Sequence, residues 1–264
     1  MRLTIDHRTV YRFSAPQSRL VQMLRLMPEN SHDQTVANWH IHVDCDARMR
    51  TARDGFGNAA TMLYVDGPVD GIEIAVTGEV LTSHSNGELH GVAEPLPPAL
   101  FLRPTAATAR DAAIADFAAG FAGSDAAELD GLNRALHGRF MLERGRPEPG
   151  LDAGAAFARG RGTPRDAAQI FAAAARSLGV PARYVSGYLL AEGDHRPTPH
   201  GWAEAHVDGT GWIGFDPARG ERPGEDYVRV ASALDAAGAA PVAGSRLGDG
   251  AEELDVDVSV SRSE

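Results

Sequence analysis

The chain has no lysine; each of its 25 basic residues is an arginine. That excludes Schiff-base chemistry and a lysine nucleophile, since both need an amine that sheds its proton near neutral pH. Cysteine is nearly absent as well. The single Cys45 among 264 residues rules out an intrachain disulfide and any multi-cysteine metal site. No apolar run approaches the ~20 residues that a membrane-spanning helix needs. The first residues, Met1-Arg2-Leu3-Thr4-Ile5-Asp6-His7, run into alternating sequence without the apolar stretch of a signal peptide. The expected location is therefore the cytoplasm. A formal net charge of −11 disfavours nucleic acid and an anionic membrane surface as partners, because both attract basic clusters.

What is present is the composition of a soluble globular protein, 43% hydrophobic and 23% charged, long enough for one large domain or two ordinary ones. Residues 1–85 read as an N-terminal β-domain. Trp39, Ile41 and Val43 alternate with His40, His42 and Asp44, the period of two of a half-buried strand. Asp54-Gly55-Phe56-Gly57-Asn58 is a turn signal before a strand at 61–65, and Asp66-Gly67-Pro68 separates that strand from another at 72–81. Strands so spaced predict a small antiparallel β-sandwich. Residues 86–107, punctuated by Pro95, Pro97, Pro98 and Pro104, read as a linker or surface arm.

From residue 108 the period turns helical. Ala112, Ile114, Phe117 and Phe121 suit one helix, and Ala127, Leu129, Leu132, Leu136 and Phe140 a second, capped by Ser124. A third starts with Thr163 as N-cap, Pro164 at the first helical position and Asp166 three residues after the cap. Its apolar stripe runs through Ala167, Ile170, Phe171, Ala174 and Leu178 until Gly179 and Pro181 stop it. Strands follow at 184–190 and on both sides of the turn Asp208-Gly209-Thr210-Gly211, then an Ala/Gly-rich loop at 232–250 and a strictly alternating last strand at 252–260. The fold class is α+β, with the second unit covering 108–264.

Three segments carry chemistry: Gly-Arg-Gly-Thr-Pro-Arg-Asp at 160–166, His-Gly-Trp-Ala-Glu at 200–204 and Gly-Trp-Ile-Gly-Phe-Asp-Pro at 211–217. With the stretch from Arg176 to Tyr188 between them, they resemble the core of bacterial transglutaminase-like proteins, which has a papain-like fold. Tyr11, Arg25-Leu26, Pro28 and the 54–58 turn resemble the β-domain that precedes this core in bacterial members. The resemblance implies a cysteine nucleophile at the helix start, His200 as its base and Asp216 as the carboxylate that orients the base. His200 and Asp216 are 216 − 200 = 16 residues apart across a turn, which places them as near-diagonal neighbours on adjacent strands. Where the family pattern Gly-x-Cys opens the helix, this chain has Gly162-Thr163-Pro164. Proline offers no nucleophile, and no neighbouring register supplies a thiol.

The leading expectation is therefore a catalytically inactive relative that needs no cofactor or metal and binds a peptide or amide ligand, or a protein partner such as an active paralogue. The competing expectation is an active amidase, peptidase or acyl transferase that uses Thr163 or a substrate-borne group, with His200 as base. A purely structural module with a filled cleft is the third. Thr163 and Trp202 are candidate cleft residues. His40 and His42 share one strand face, but nothing near them in sequence completes a metal site, and His195, His200 and His206 are read the same way.

Overall fold

The computed structural model describes residues 1–121, 125–190 and 196–263. An N-terminal run of four strands comes first: β1 (Arg2–Leu24), β2 (Gln34–Val43), β3 (Arg48–Arg53) and β4 (Ala59–Thr82). Helices α1 (Ala112–Ala118) and α2 (Ala126–Arg139), a short β5 (Met141–Leu142), α3 (Ala153–Arg159), β6 (Arg161–Gly162) and α4 (Pro164–Ser177) follow. The chain then forms β7 (Ala182–Leu189), β8 (His200–Val207), β9 (Gly211–Phe215), β10 (Tyr227–Ala233), β11 (Val242–Leu247) and β12 (Glu252–Arg262). The class is α+β, as the sequence implies.

The N-terminal strands are fewer and longer than their turn signals suggest. The segments expected at 61–65 and 72–81 are one strand, β4, and β1 likewise passes straight through Pro16. Proline has no N–H for the ladder, so pairing is interrupted between Arg12 and Arg19 while the chain continues. On either side of this irregularity β1 takes different neighbours, β12 along Leu3–Phe13 and β11 along Arg19–Leu24. The result is one continuous antiparallel sheet rather than two. Its halves still face each other as in a sandwich: Tyr11, Phe13, Ile72 and Ile74 from one half cluster with Leu20, Leu24, Leu63 and Val65 from the other.

Two expectations for the C-terminal part need correction. The last strand belongs with the N-terminal sheet, not with the unit at 108–264, because β12 pairs with β1. The expected loop at 232–250 contains β11, on the same sheet. An alternating pattern tells which face of a strand is buried but not which strand lies beside it, so this return of the chain has no local signal. The expected cap Ser124 lies outside the described residues; the Asp125 side chain caps α2 by accepting from the Glu128 N–H at 2.9 Å. The arm is docked rather than free. Its Phe101 is buried, and Glu94 holds the Arg183 guanidinium through two bonds of 2.7 and 2.8 Å.

The second sheet has the antiparallel order β10-β7-β8-β9. Helix α4 lies against β7 and β8 on one side and against α1, α2 and α3 on the other. This explains why Ala172, Ala173 and Ala175, outside its apolar stripe, are buried too. Small side chains let four neighbours approach one helix. Gly179, at φ +80°, supplies the left-handed residue that ends α4.

The two sheets meet through specific polar contacts. In the 54–58 turn, Asp54 accepts from the N–H groups of Phe56 and Asn58 and from Arg25, while Asn58 exchanges two 2.8 Å bonds with the Ser232 backbone of β10. That turn is thus a staple between the sheets. On the other side of the junction, His7 of β1 is buried with Nδ1 3.0 Å from the Tyr188 hydroxyl of β7 and Nε2 3.1 Å from Thr9 Oγ1. Burial pushes the His7 pKa down from 6.5 to about 4, against a smaller opposing pull from Asp257. The folded chain therefore holds the neutral ring. Its stabilising effect is complete above pH ~6.5 and is lost as pH falls towards 4, amounting to about 3 kcal/mol. Urea unfolding between pH 7 and 4 should show this loss. A His7→Leu variant should show a shallower dependence, and an equal slope in both would refute the assignment.

Candidate functional site

Helix α4 begins in the arrangement its sequence encodes. The N–H and the hydroxyl of Thr163 both donate to Asp166 Oδ2, at 2.9 and 2.7 Å, and Arg165 donates to Asp166 Oδ1. Gly162 is required just before the cap, since a Cβ there would lie 2.9 Å from Asp166 Oδ2 and 3.1 Å from the Phe140 ring. Pro164 occupies the first helical position. Thr163, Pro164 and Arg165 form one wall of a cleft of about 670 Å³. Tyr184 and Ser186 of β7 and Thr198 and Pro199, just ahead of β8, also line it.

His200 follows Pro199 as the first residue of β8, only 5% exposed. Its Nε2 lies 2.7 Å from Asp216 Oδ2. Asp216, fully buried just beyond β9, also accepts the Tyr227 hydroxyl at 2.7 Å and the Ala218 N–H at 2.9 Å. Burial by itself would raise the pKa of this carboxyl. The charge and hydrogen bond of His200, with the Tyr227 and Ala218 donors, outweigh burial and lower it. Tyr227 shifts the opposite way: burial and the adjacent Asp216 make its hydroxyl a much weaker acid, so it remains a donor. The His200 ring packs against Trp202 and Tyr227, with centroids 6.2 and 5.9 Å away, and those two rings pack on each other at 5.4 Å. The His200 Nδ1 is buried and has no partner among the described residues.

Tyr184 links the two halves of the site. Burial raises its hydroxyl pKa most; Arg165 at the helix start opposes this, and Asp166 and Asp216 add to it. The hydroxyl lies over Gly201, where a Cβ would come within 2.0 Å of it.

The structure brings Thr163 and Pro164 to the cleft and joins His200 to Asp216, but it does not put Trp202 in the cleft. Alternation along β8 sends Gly201 towards Tyr184 and Trp202 to the opposite face, where it is 2% exposed among Val185, Leu189 and Tyr227. Cys45 is remote from the site. It packs against the N-terminal core, and burial with Asp44 and Asp46 beside it raises its thiol pKa. His40 and His42 are exposed on β2, His206 packs edge-on against Trp212, and His195 lies outside the described residues. Tyr227, Tyr184 and Ser186 are site residues that the motifs did not mark. Tyr227 has no signal, as it sits 11 residues beyond Asp216 after a loop.

Residues 3–81 match the family described as bacterial transglutaminase-like N-terminal region, and residues 116–217 match the transglutaminase-like superfamily. Residues 116–217 are thus similar to a transglutaminase-like core, preceded by the N-terminal region described for bacterial proteins of that kind. Thr163, Pro164, Tyr184, Ser186, His200 and Asp216 all lie within the matched 116–217 segment, whereas Tyr227 lies beyond it. The whole chain also superposes on the crystal structure of a candidate cysteine protease from Cytophaga hutchinsonii, with a TM-score of 0.76, 21% identity and 92% of that chain covered. At that identity the likeness concerns the fold. An uncharacterized protein of Mycobacterium leprae is 26% identical across 99% of both chains.

Proposed function

We propose that this transglutaminase-like protein holds a peptide or amide ligand in its cleft without turning it over. The observation that carries the reading is Pro164. A cysteine in the first turn of a helix is activated by the amide donors and positive end of that helix, and a neighbouring histidine completes the ion pair. Here the helix start is kept, together with the His200–Asp216–Tyr227 group, while the position that would hold sulfur holds a ring without an N–H. Proline also withdraws one amide donor that would face a developing oxyanion.

The remaining hydroxyl is a poor substitute. Thr163 Oγ1 donates its proton to Asp166 at the cap, and a hydroxyl is far harder to activate than a thiol. A cleft of about 670 Å³ with polar groups at its walls is well suited to an extended peptide or a segment of a protein partner, an active paralogue included. The full chain, incubated with a panel of glutaminyl and peptide amides and with thiol- and hydroxyl-directed probes, should show no turnover and no labelling in the cleft. Turnover that disappears in His200→Ala would overturn the reading in favour of Thr163 as nucleophile.

A further inference from the structure

The cleft presents hydrogen-bonding groups that the fold itself does not use. Tyr184, Ser186 and Gln169 all line it, and they are only 5%, 5% and 2% exposed. Yet the Tyr184 hydroxyl, the Ser186 hydroxyl and the Gln169 amide nitrogen have no hydrogen-bond partner among the described residues, and none of these atoms is sealed from solvent. Polar atoms on residues so buried are normally paired. Here their unused capacity faces the cleft.

Local geometry groups them. Tyr184 and Ser186 are two places apart on β7 and share one face of that strand. Ser186 lies opposite Gly201 in the register, and the Tyr184 hydroxyl fills the place a side chain at 201 would take, so the two hydroxyls stand side by side. Gln169 is oriented by its other end. Its Oε1 accepts the Ala236 N–H at 3.2 Å, which leaves the amide nitrogen with two free donors.

Much of the remaining lining is small and apolar. Ala236, Ala237 and Ala240, from the Ala/Gly-rich stretch after β10, and Ala106 and Ala107 of the arm end at Cβ. Both stretches are tied down, the first by the bond to Gln169 and the second by the Ala153 N–H of α3, which donates to the Ala107 carbonyl at 2.8 Å. Among the described residues only Arg165 and Asp152 bring charge to the lining, and both are engaged, Arg165 by Asp166 and Asp152 as the cap of α3. A charged ligand group would therefore lose water here without gaining a counter-ion, whereas an aliphatic one gains by leaving water.

We infer that the cleft selects a neutral, aliphatic peptide segment, whose main-chain amides pair with the hydroxyls of Tyr184 and Ser186 and the amide of Gln169. The inference rests on the proposed cleft binding and names the ligand class and the residues that choose it. Main-chain groups suit these partners because each residue offers one donor and one acceptor and no charge.

Titration calorimetry on the full chain compares acetyl-Ala-Leu-Ala-Gly-amide with the same peptide carrying Glu or Arg in place of Leu. The neutral peptide should bind about 10-fold more tightly than either charged one. Tyr184→Phe and Ser186→Ala should each weaken the neutral peptide about 5-fold, since each removes one hydroxyl from the ligand's partners. Their unfolding midpoints should stay within about 2 °C of the parent, because neither hydroxyl is bonded within the protein. Neutral-peptide binding that is unchanged in both variants, or a charged peptide that binds as tightly as the neutral one, would overturn this inference and leave the proposed cleft binding standing. No binding of any of the three peptides would overturn both.

Discussion

Pro164→Cys is expected to turn a chain without thiol chemistry in its cleft into one that reacts there. The new thiol would stand at the first position of α4, where the amide donors and helix dipole favour the thiolate, so its pKa should fall below the usual ~8.5. Cys45 is the internal control, because burial and its two aspartate neighbours push its pKa the other way. At pH 7 a disulfide reagent should label one site in the variant at least ~10-fold faster than it labels Cys45 in the parent chain. In the proposed reading the thiolate is paired with His200, which Asp216 holds together with Tyr227. Attack on a peptide amide would form a thioester and release the amine with a proton from the imidazole, and water would then free the acid. Amide cleavage should rise by about 100-fold or more over the parent and drop again when His200→Ala is added. A thiol at 164 no more reactive than Cys45 would refute the proposed pairing of this position with His200.

Glu204→Leu should be the most damaging single substitution for stability. Glu204 on β8 is buried between two arginines, accepting from Arg183 Nε at 2.6 Å and from Arg229 Nε at 2.7 Å. Burial tends to raise its pKa, yet the two guanidiniums outweigh that tendency and bring it down to about 2. Arg183 is itself buried, with its guanidinium 3.9 Å from the Trp212 ring centre and its other face held by Glu94 of the arm. Removing the central carboxylate leaves two cations against a low-dielectric interior with one acid between them. Such a loss costs about 3–5 kcal/mol. The midpoint of urea unfolding should fall accordingly, with the arm becoming more susceptible to proteolysis near Glu94. A loss below about 1 kcal/mol would show that water reaches these groups after all. The carboxylate also sets a pH limit separate from that of His7. Its contribution is complete above the ordinary value of 4.5 and is lost as pH falls towards 2.

Much of the site was legible because its determinants are local. The Thr-Pro-Arg-Asp start of α4 follows from what a helix end demands of its first four residues, and the structure builds the same cap. The adjacency of His200 and Asp216 follows from a hairpin of known period, and they lie 2.7 Å apart. Arg183 and Glu204 were legible in principle, as charged residues within strands that otherwise read as buried, but which charge met which was not. Trp202 failed as a cleft residue although it stands two places from His200. Its ring packs against Tyr227 and Val185, and only that packing decides that this side is closed.

The sequence by itself determined how α4 starts and stops and that no sulfur stands at residue 164, whereas the short α3 went unmarked. Those are properties of neighbouring residues and of a fixed backbone period. Tertiary structure alone decided that Tyr227 reaches back to Asp216, that β12 completes the N-terminal sheet, and that Asn58 and Ser232 join the two sheets. Each of these pairs residues that are remote in the chain, and such pairs form only because burying the two apolar faces against each other leaves these polar groups opposite one another.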